Sequence, residues 1–228
     1  MALGHAPSIV TDGLVAYVDV ANVRSYPGSG SVVTDLINGA SSTGVSAIQI
    51  SSIGASFGTN KNLTFSSTAK IPNTGYTKCC WFNLGDVSTF QPLICGSLST
   101  RHCMWMNKTA NLTASHSNTI AFSVPTFTSI AGTTTLSTGI WYFGAVTYSS
   151  TSGFNIYLNN RRDQTSATTQ TFGDTSNDNY FGYYGDFYVT PSLPSLNGIL
   201  GPVMYYNRVL SAAEVLQNYN ATKKRYGY

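Results

Sequence analysis

The sequence predicts an all-β protein, built as a two-sheet antiparallel sandwich with one short helix near the C-terminus. Apolar segments recur at short intervals with turn residues between them, which is typical of a sandwich. One segment, Leu136 to Asn160, contains two consecutive strand patterns together with the turns around them. The 228 residues are 42% hydrophobic, so a sizeable core is available. This length fits one large sandwich or two small domains.

A hairpin at the centre of the sandwich is predicted by that segment. The run from Ile140 to Val146 is apolar on both faces, which favours a strand covered on both sides. A polar break from Ser149 to Gly153 follows, and apolar and polar residues then alternate from Phe154 to Leu158. A loop of this length that contains glycine joins antiparallel strands. The Asn159–Asn160 pair tolerates left-handed backbone, so we expect a tight turn into a third strand at Arg161.

Further segments have strand character, and the first of them is apolar on both faces. These segments are Tyr76 to Leu84, Pro92 to Cys95, Cys103 to Met106 and Ile120 to Val124. Before them, Ser25 to Gly58 is rich in glycine, serine and threonine, which predicts loops with short edge strands.

One helix is predicted, beginning at Ser211. Ser211 is a good N-cap residue, and Glu214 three residues later completes a capping box. The predicted buried stripe of this helix consists of Val215, Leu216 and Tyr219. We expect the helix to close the sandwich and to take no part in chemistry.

Three segments also resemble a known family. The Trp141 to Tyr148 strand and the Ile156 to Asn160 strand resemble the penultimate hairpin of laminin-G-like, concanavalin A-like domains. Gly13 to Asp19 resembles the opening strand of that family, and Asn197 to Val215 resembles its closing strand and short helix. The resemblance implies a jelly roll in which the first and last strands pair. We therefore expect one domain over residues 13–228, preceded by an N-terminal arm over residues 1–12.

Two further segments, Ser25 to Gly30 and Gln217 to Lys223, are most similar to copies of this domain in structural proteins of tailed bacteriophages. Composition agrees with such a role, because charged residues make up 9% of the chain against about a quarter in a typical protein. A surface with so little charge suits a protein packed in an assembly. The net charge of +3 is too small and too scattered to indicate nucleic acid.

No membrane span or secretory signal is expected. The longest strongly apolar run, Ile140 to Val146, is too short to cross a bilayer, and the N-terminus lacks a cationic segment followed by an apolar one. The cysteines show no Cys-x-x-Cys spacing, so a zinc site is disfavoured. We interpret all four as buried free thiols of a protein made in a reducing cytoplasm. They are Cys79, Cys80, Cys95 and Cys103.

Candidate catalytic groups are sparse. Glycosidases need two carboxylates across a cleft, but the chain has a single glutamate, Glu214, and its aspartates show no tight cluster. Gly54 to Gly58 matches Gly-x-Ser-x-Gly, but no helix pattern follows it, so a plain turn is the preferred interpretation. We expect the three histidines to lie on the surface or in loops, without a metal. They are His5, His102 and His116. We therefore expect no enzymatic activity and no cofactor.

Calcium is the one metal that the family resemblance suggests. Oxygen-bearing residues flank two loops, but such residues more often make turns by bonding their own backbone. The calcium candidates are Asp19, Asn22 and Asp35 in one loop, and Asp174, Asn177, Asp178 and Asn179 in the other.

Tyrosines supply the candidate ligand or interface residues. Asn179 to Tyr188 is rich in aromatic residues beside Asn and Asp, which can stack on sugars or anchor a protein interface. A further core strand with a glycine bulge is the alternative for this segment, and Tyr226 and Tyr228 are either interface anchors or tail residues. The candidates are Tyr180, Tyr183, Tyr184, Tyr188, Tyr226 and Tyr228.

Two functions are compatible with these observations. The first is a non-enzymatic virion structural protein of a tailed phage, carried on the capsid as a decoration or on a tail appendage. It would contact other virion proteins and form a homo-oligomer. The second is a carbohydrate-binding module that recognises glycans of the host surface. An exposed aromatic cluster in a loop cleft would favour the second.

Overall fold

The computed structural model describes residues 7–42, 48–58, 62–65, 72, 74–96, 102–106, 118–123, 129–169, 179–183 and 195–228. These residues form fourteen β-strands, one α-helix and a short 3-10 helix. In chain order the strands are β1 (Leu14–Val18), β2 (Gln49–Ser51), β3 (Gly54–Phe57), β4 (Leu63–Phe65), β5 (Gly75–Leu84), β6 (Gln91–Gly96), β7 (Cys103–Met106), β8 (Ile120–Ser123), β9 (Ser129–Ala131), β10 (Trp141–Ser149), β11 (Gly153–Leu158), β12 (Arg161–Ser166), β13 (Asn179–Phe181) and β14 (Gly198–Tyr206). Helix α1 is Ala212–Thr222, and the 3-10 helix is Lys223–Tyr226.

The strands form two antiparallel sheets. The large sheet has the order β12-β11-β10-β5-β14-β3-β2, with β1 also paired to β14, and the small sheet has the order β4-β13-β6-β7-β8-β9. The first and last strands pair, with Leu14 opposite Tyr206 and Val18 opposite Val203. The predicted two-sheet sandwich with one C-terminal α-helix is therefore confirmed.

Burial on both faces distinguishes the central strands of the large sheet. Alternate residues of β5 point to opposite sides, so Phe82 lies in the core between the sheets whereas Trp81 lies under the C-terminal segment. In β10, Val146 likewise lies in the core between the sheets, and Phe143 lies on the outer face with Trp81. This explains why both strands are apolar throughout, as their sequences predict.

The predicted hairpin and its turns are present. Gly153 begins β11 with φ of 80°, and a Cβ there would lie 2.1 Å from the Ser166 carbonyl oxygen, so glycine is required. Asn159 takes the left-handed conformation, with φ of 55°, and its side-chain oxygen accepts a hydrogen bond of 2.9 Å from the Phe143 N–H. The chain thereby turns back into β12 at Arg161.

Helix α1 begins with the predicted capping box. Ser211 accepts from the Glu214 N–H, and the Glu214 carboxylate accepts from the Ser211 N–H at 2.8 Å. Val215 and Tyr219 are buried, but the prediction for Leu216 is wrong, since its side chain is 38% exposed. The helix instead buries Asn218, whose amide oxygen accepts from the Val10 N–H and whose nitrogen donates to the Tyr206 hydroxyl.

The C-terminal segment is fixed to the outer face of the large sheet. Arg225 makes a bidentate ion pair with the buried Asp19, at 2.7 and 2.9 Å. The Tyr226 ring stacks on Trp81 with 4.3 Å between ring centres. The Tyr206 hydroxyl donates to the Val10 carbonyl oxygen at 2.9 Å, so the part of the predicted arm that is described lies against the same face.

None of the helical segments in the described ranges combines the length and the apolar character needed to cross a membrane.

Candidate ligand-binding site

The predicted aromatic stretch after Asn179 is, in its described part, a strand of the small sheet. Tyr180 lies in β13 and is half-buried, and its ring lies 6.0 Å from that of Tyr183. Gly182 between them has φ of 69°. Both tyrosines pack against the cluster formed by Phe90 and Trp105 on the outer face of the small sheet. The further candidates Tyr184 and Tyr188 lie outside the described residues.

The two C-terminal tyrosines differ in exposure. Tyr226 is only 7% exposed, and its hydroxyl donates to the Ile53 carbonyl oxygen at 3.2 Å. Tyr228 is 45% exposed, and its hydroxyl donates to the Trp141 carbonyl oxygen at 2.6 Å. Tyr226 therefore holds the tail in place, whereas Tyr228 keeps about half of its side chain available to a partner.

A cleft of about 210 Å³ opens where the edge of the large sheet meets helix α1. The turn after β11 and the start of β12 form one wall, and the first turns of α1 form the other. The alanines at the start of the helix have short side chains and leave the space open. The lining residues are Tyr157, Asn159, Asn160, Arg161, Arg162, Ala212, Ala213, Val215 and Leu216.

Backbone register decides which side chains face this cleft. Tyr157 pairs with Arg162 across β11 and β12, so both side chains share the outer face of the large sheet. Arg161 pairs instead with Leu158, whose side chain belongs to the core between the sheets. The Arg161 guanidinium accordingly donates to the Thr134 hydroxyl at 3.2 Å. Both arginines line the cleft, but Arg162 shares the outer sheet face with Tyr157, whereas the Arg161 guanidinium has Thr134 as a partner.

The electrostatics of the cleft follow from this arrangement. Burial raises the pKa of the Tyr157 hydroxyl above its ordinary value, while the positive charge of Arg162 acts in the opposite direction. Tyr157 therefore stays protonated and neutral at physiological pH. No Asp or Glu is among the described lining residues, so the guanidinium groups of Arg161 and Arg162 are the charged groups of the lining.

The single glutamate, Glu214, has a structural role at the start of helix α1. Both carboxylate oxygens of Glu214 accept from the Arg208 guanidinium, at 2.6 and 3.2 Å, and one also accepts from Ser211. These hydrogen bonds, that from Arg208 first, lower the pKa of Glu214 to about 2. Glu214 is thus ionised at physiological pH and lacks the raised pKa of a general acid.

The calcium candidates in the first loop have other partners. Both carboxylate oxygens of Asp19 face Arg225, and Asn22 accepts the Arg24 N–H at 3.0 Å. Asp35 accepts the backbone N–H of Tyr17 at 3.0 Å. In the part of the chain that is described, no three His, Cys, Asp or Glu side chains are grouped so as to hold a metal ion. In the second loop, Asn179 is buried in β13, whereas Asp174, Asn177 and Asp178 lie outside the described residues.

The prediction of a turn at Gly54 is wrong, because Gly54 to Phe57 is strand β3, in which Ser56 pairs with Ile199 of β14. Of the two alternatives for His102, the surface one is wrong, since the residue is 2% exposed and contacts the buried Lys78 side chain. His102 lies outside the strands, directly before β7. His5 and His116 lie outside the described residues. The predicted free, buried thiols are confirmed for all four cysteines.

Sequence reasoning missed the cleft, although it described each of its walls. The alternation from Phe154 to Leu158, the turn before Arg161 and the capped helix were all predicted, and the alternation places Tyr157 on the face opposite Phe154. The sequence signal for the cleft is the pair of adjacent arginines, Arg161 and Arg162, on an edge strand with no acidic residue opposite them. This pair of arginines indicates a binding site only once the structure shows that helix α1 lies beside the strand.

Comparisons with known proteins agree with this architecture. A laminin G family model, described as the concanavalin A-like lectin/glucanases superfamily, matches residues 57–216. No curated protein sequence matches the chain. Among solved structures, Trypanosoma rangeli sialidase in complex with 2,3-difluorosialic acid has a TM-score of 0.70 and 13% identity, over 100% of this chain and 36% of that one.

A second similar structure is the ligand binding domain of botulinum neurotoxin serotype D in complex with N-acetylneuraminic acid. Its TM-score is 0.67 and its identity 10%, over 92% of this chain and 51% of that one. The chain thus spans about a third of the sialidase and half of the toxin domain, and identities this low show a shared fold alone. Because the family model covers most of the sequence, the chain belongs to the concanavalin A-like lectin/glucanases superfamily.

Proposed function

We propose that this protein is a non-enzymatic carbohydrate-binding domain whose ligand occupies the cleft between β12 and α1. The observation that carries the proposal is the lining of that cleft, which combines an aromatic ring, aliphatic side chains, amides and a guanidinium. Sugars present hydroxyl groups to polar side chains and C–H faces to apolar ones, so a mixed lining of this kind suits them. Small-molecule sites in general are apolar with a few well-placed polar groups.

The chemistry of the same residues supports binding without turnover. Hydrolysis of a glycosidic bond by paired carboxylates needs an acid and a second carboxylate a few ångströms away. Among the described lining residues there is neither, and the single glutamate, Glu214, is ion-paired to Arg208. The similarity in fold to a toxin domain in complex with N-acetylneuraminic acid also agrees with a glycan as the ligand class.

A glycan array tests the proposal. The wild-type chain is expected to bind a subset of glycans, and Ala213→Trp, which fills the cleft from an exposed helix position, is expected to abolish that binding. Val23→Trp is the matched control, because it adds the same side chain at a site that is 76% exposed and does not line the cleft.

The array also separates this site from the aromatic one predicted on the small sheet. Binding that survives Ala213→Trp but is lost in Tyr183→Ala would place the ligand beside β13 and refute the cleft. An array on which the wild type binds nothing would refute carbohydrate binding itself.

A structural role in the virion of a tailed phage is the second candidate. It is favoured by the charged fraction of 9%, which suits a surface covered by neighbouring subunits. In this role the domain would sit on the capsid or a tail appendage as a homo-oligomer. Locating the chain by electron microscopy of native particles tests it. A chain found in no particle, and monomeric at high concentration, would exclude this role.

A further inference from the structure

The charge of the cleft identifies the class of sugar it would hold. We propose that the cleft recognises an acidic monosaccharide unit, and that Arg162 binds its carboxylate. This inference rests on the proposed function and narrows it, because a neutral sugar would leave the guanidinium without a counter-charge.

Arg162 has hydrogen-bonding capacity to spare. A guanidinium carries five N–H donors. Within the described structure Arg162 makes no ion pair, and its one hydrogen bond is a long contact of 3.4 Å from Nη1 to the Asn155 side-chain oxygen. The planar fork of the remaining donors matches a carboxylate in geometry and charge. An incoming carboxylate would therefore gain a partner without displacing an existing ion pair.

Acidic side chains do not compete for this position. Glu214 follows the helix start, but its two oxygens are taken by Arg208 and Ser211. Asp163, next in β12, accepts the Thr133 N–H at 2.8 Å on the other side of the strand. The positive charge at the cleft is accordingly not neutralised by any described lining residue.

The remaining lining suits one sugar ring. Leu216 is 38% exposed and, with the buried Val215, gives the cleft an apolar wall on the helix side. Asn160 is exposed and brings a side-chain amide to the opposite wall. A volume of about 210 Å³ is below the range typical of drug-sized ligands, so the cleft fits a single terminal unit of a glycan.

Matched pairs of acidic and neutral ligands test the inference on the full chain. The pairs are N-acetylneuraminic acid with its methyl ester, and glucuronic acid with glucose, titrated calorimetrically. We expect the acid of at least one pair to bind roughly tenfold or more tightly than its neutral partner, since one charge-assisted bidentate contact is worth at least that factor.

Variants locate the contact. Arg162→Gln should remove the preference for the acid, and Arg162→Lys should retain part of it. Arg24→Gln is the matched control and should keep the wild-type affinity, because Arg24 is exposed and does not line the cleft. Each variant is first shown by circular dichroism to be folded.

The outcomes test the preference for acidic sugars separately from carbohydrate binding itself. Equal affinity for acid and neutral ligand, or a preference that survives Arg162→Gln, would overturn the acidic specificity while leaving carbohydrate binding intact. If no member of either pair binds, the inference is overturned, and the glycan array separately decides whether the domain binds any sugar.

Discussion

Replacing Lys78 with methionine should remove a contribution to stability that rises between pH 7 and pH 8.5 in the wild-type protein. The Lys78 side chain is fully buried between the two sheets. Its Nζ donates to the His102 carbonyl oxygen at 2.8 Å, contacts the His102 ring, and lies 5.0 Å from the centre of the Tyr205 ring. No carboxylate is among the described partners of this amine. Burial lowers the pKa of Lys78 from 10.5 to about 7.

The sign of the effect follows from where the proton binds. In the unfolded chain the pKa of this amine is about 10.4, so between pH 7 and that value the unfolded state holds more protons than the folded state. The contribution of Lys78 to stability therefore increases with pH, by up to about 1.4 kcal/mol per pH unit. Between pH 7 and 8.5 the gain is about 1.5 kcal/mol, and below pH 7 the folded state bears the full cost of about 5 kcal/mol for a buried charge.

Other buried titratable groups limit the pH range in which the effect of Lys78 can be measured. Burial lowers the pKa of His102 well below 6.5, so protonation of the unfolded chain at acid pH removes further stability. At the alkaline end, burial raises the pKa of Cys80 and Tyr205 well above their ordinary values. These groups lose their protons first in the unfolded chain, so the thiols begin to reduce stability above about pH 7.5 and the tyrosine above about pH 9, in the wild type and in Lys78→Met alike.

Urea unfolding at four pH values between 7.0 and 8.5, followed by tryptophan fluorescence, measures the effect. The wild type and Lys224→Met, which replaces an exposed lysine, should show the same slope of unfolding free energy against pH. Lys78→Met should have a slope lower than that of the wild type by about 1 kcal/mol per pH unit, because only the contribution of Lys78 is removed. Only slopes are compared, because methionine also leaves the His102 carbonyl oxygen without its donor. Equal slopes in wild type and Lys78→Met would refute a depressed lysine pKa.

Three further changes have expected outcomes. Asp19→Asn should lower the free energy of unfolding by about 3 kcal/mol, because it leaves Arg225 without its carboxylate; a loss under about 1 kcal/mol in urea titrations would mean that water screens the pair. Ser211→Ala should cost about 1 kcal/mol through the lost cap, whereas Ser211→Thr should retain most of it in thermal melts. Ellman's reagent should label the four cysteines only after unfolding, since burial raises the pKa of Cys79 to about 12; prompt labelling of the folded protein would contradict their burial.

Local signals in the sequence were sufficient for much of the fold. The alternation of apolar residues in Phe154 to Leu158 and the Ser211–Glu214 capping box are properties of neighbouring residues, and both features are present. Even Lys78 carried a signal that was overlooked. It alternates with Tyr76 and Cys80, so period two places it on the inward face of β5.

Features that depend on distant contacts could not be predicted in the same way. Helical spacing placed Leu216 on the buried face and left Asn218 out of the predicted stripe, but Asn218 is buried because it satisfies the Val10 N–H. The cleft likewise requires Arg162 and Ala213 to lie on facing walls. That juxtaposition is set by how α1 docks on the sheet, which neither segment encodes alone.

The position of β14 also has a consequence for the order of folding. This strand joins β1, β3 and β5 within one sheet, although it follows all three of them in the sequence. Until the ribosome has released Tyr206, β1 has no hydrogen-bonding neighbour in the described sheet, whereas β5 and the β10–β12 meander can already pair. Such long sequence separation slows folding and exposes nascent apolar edges. We therefore expect the newborn chain to depend on chaperones until β14 emerges.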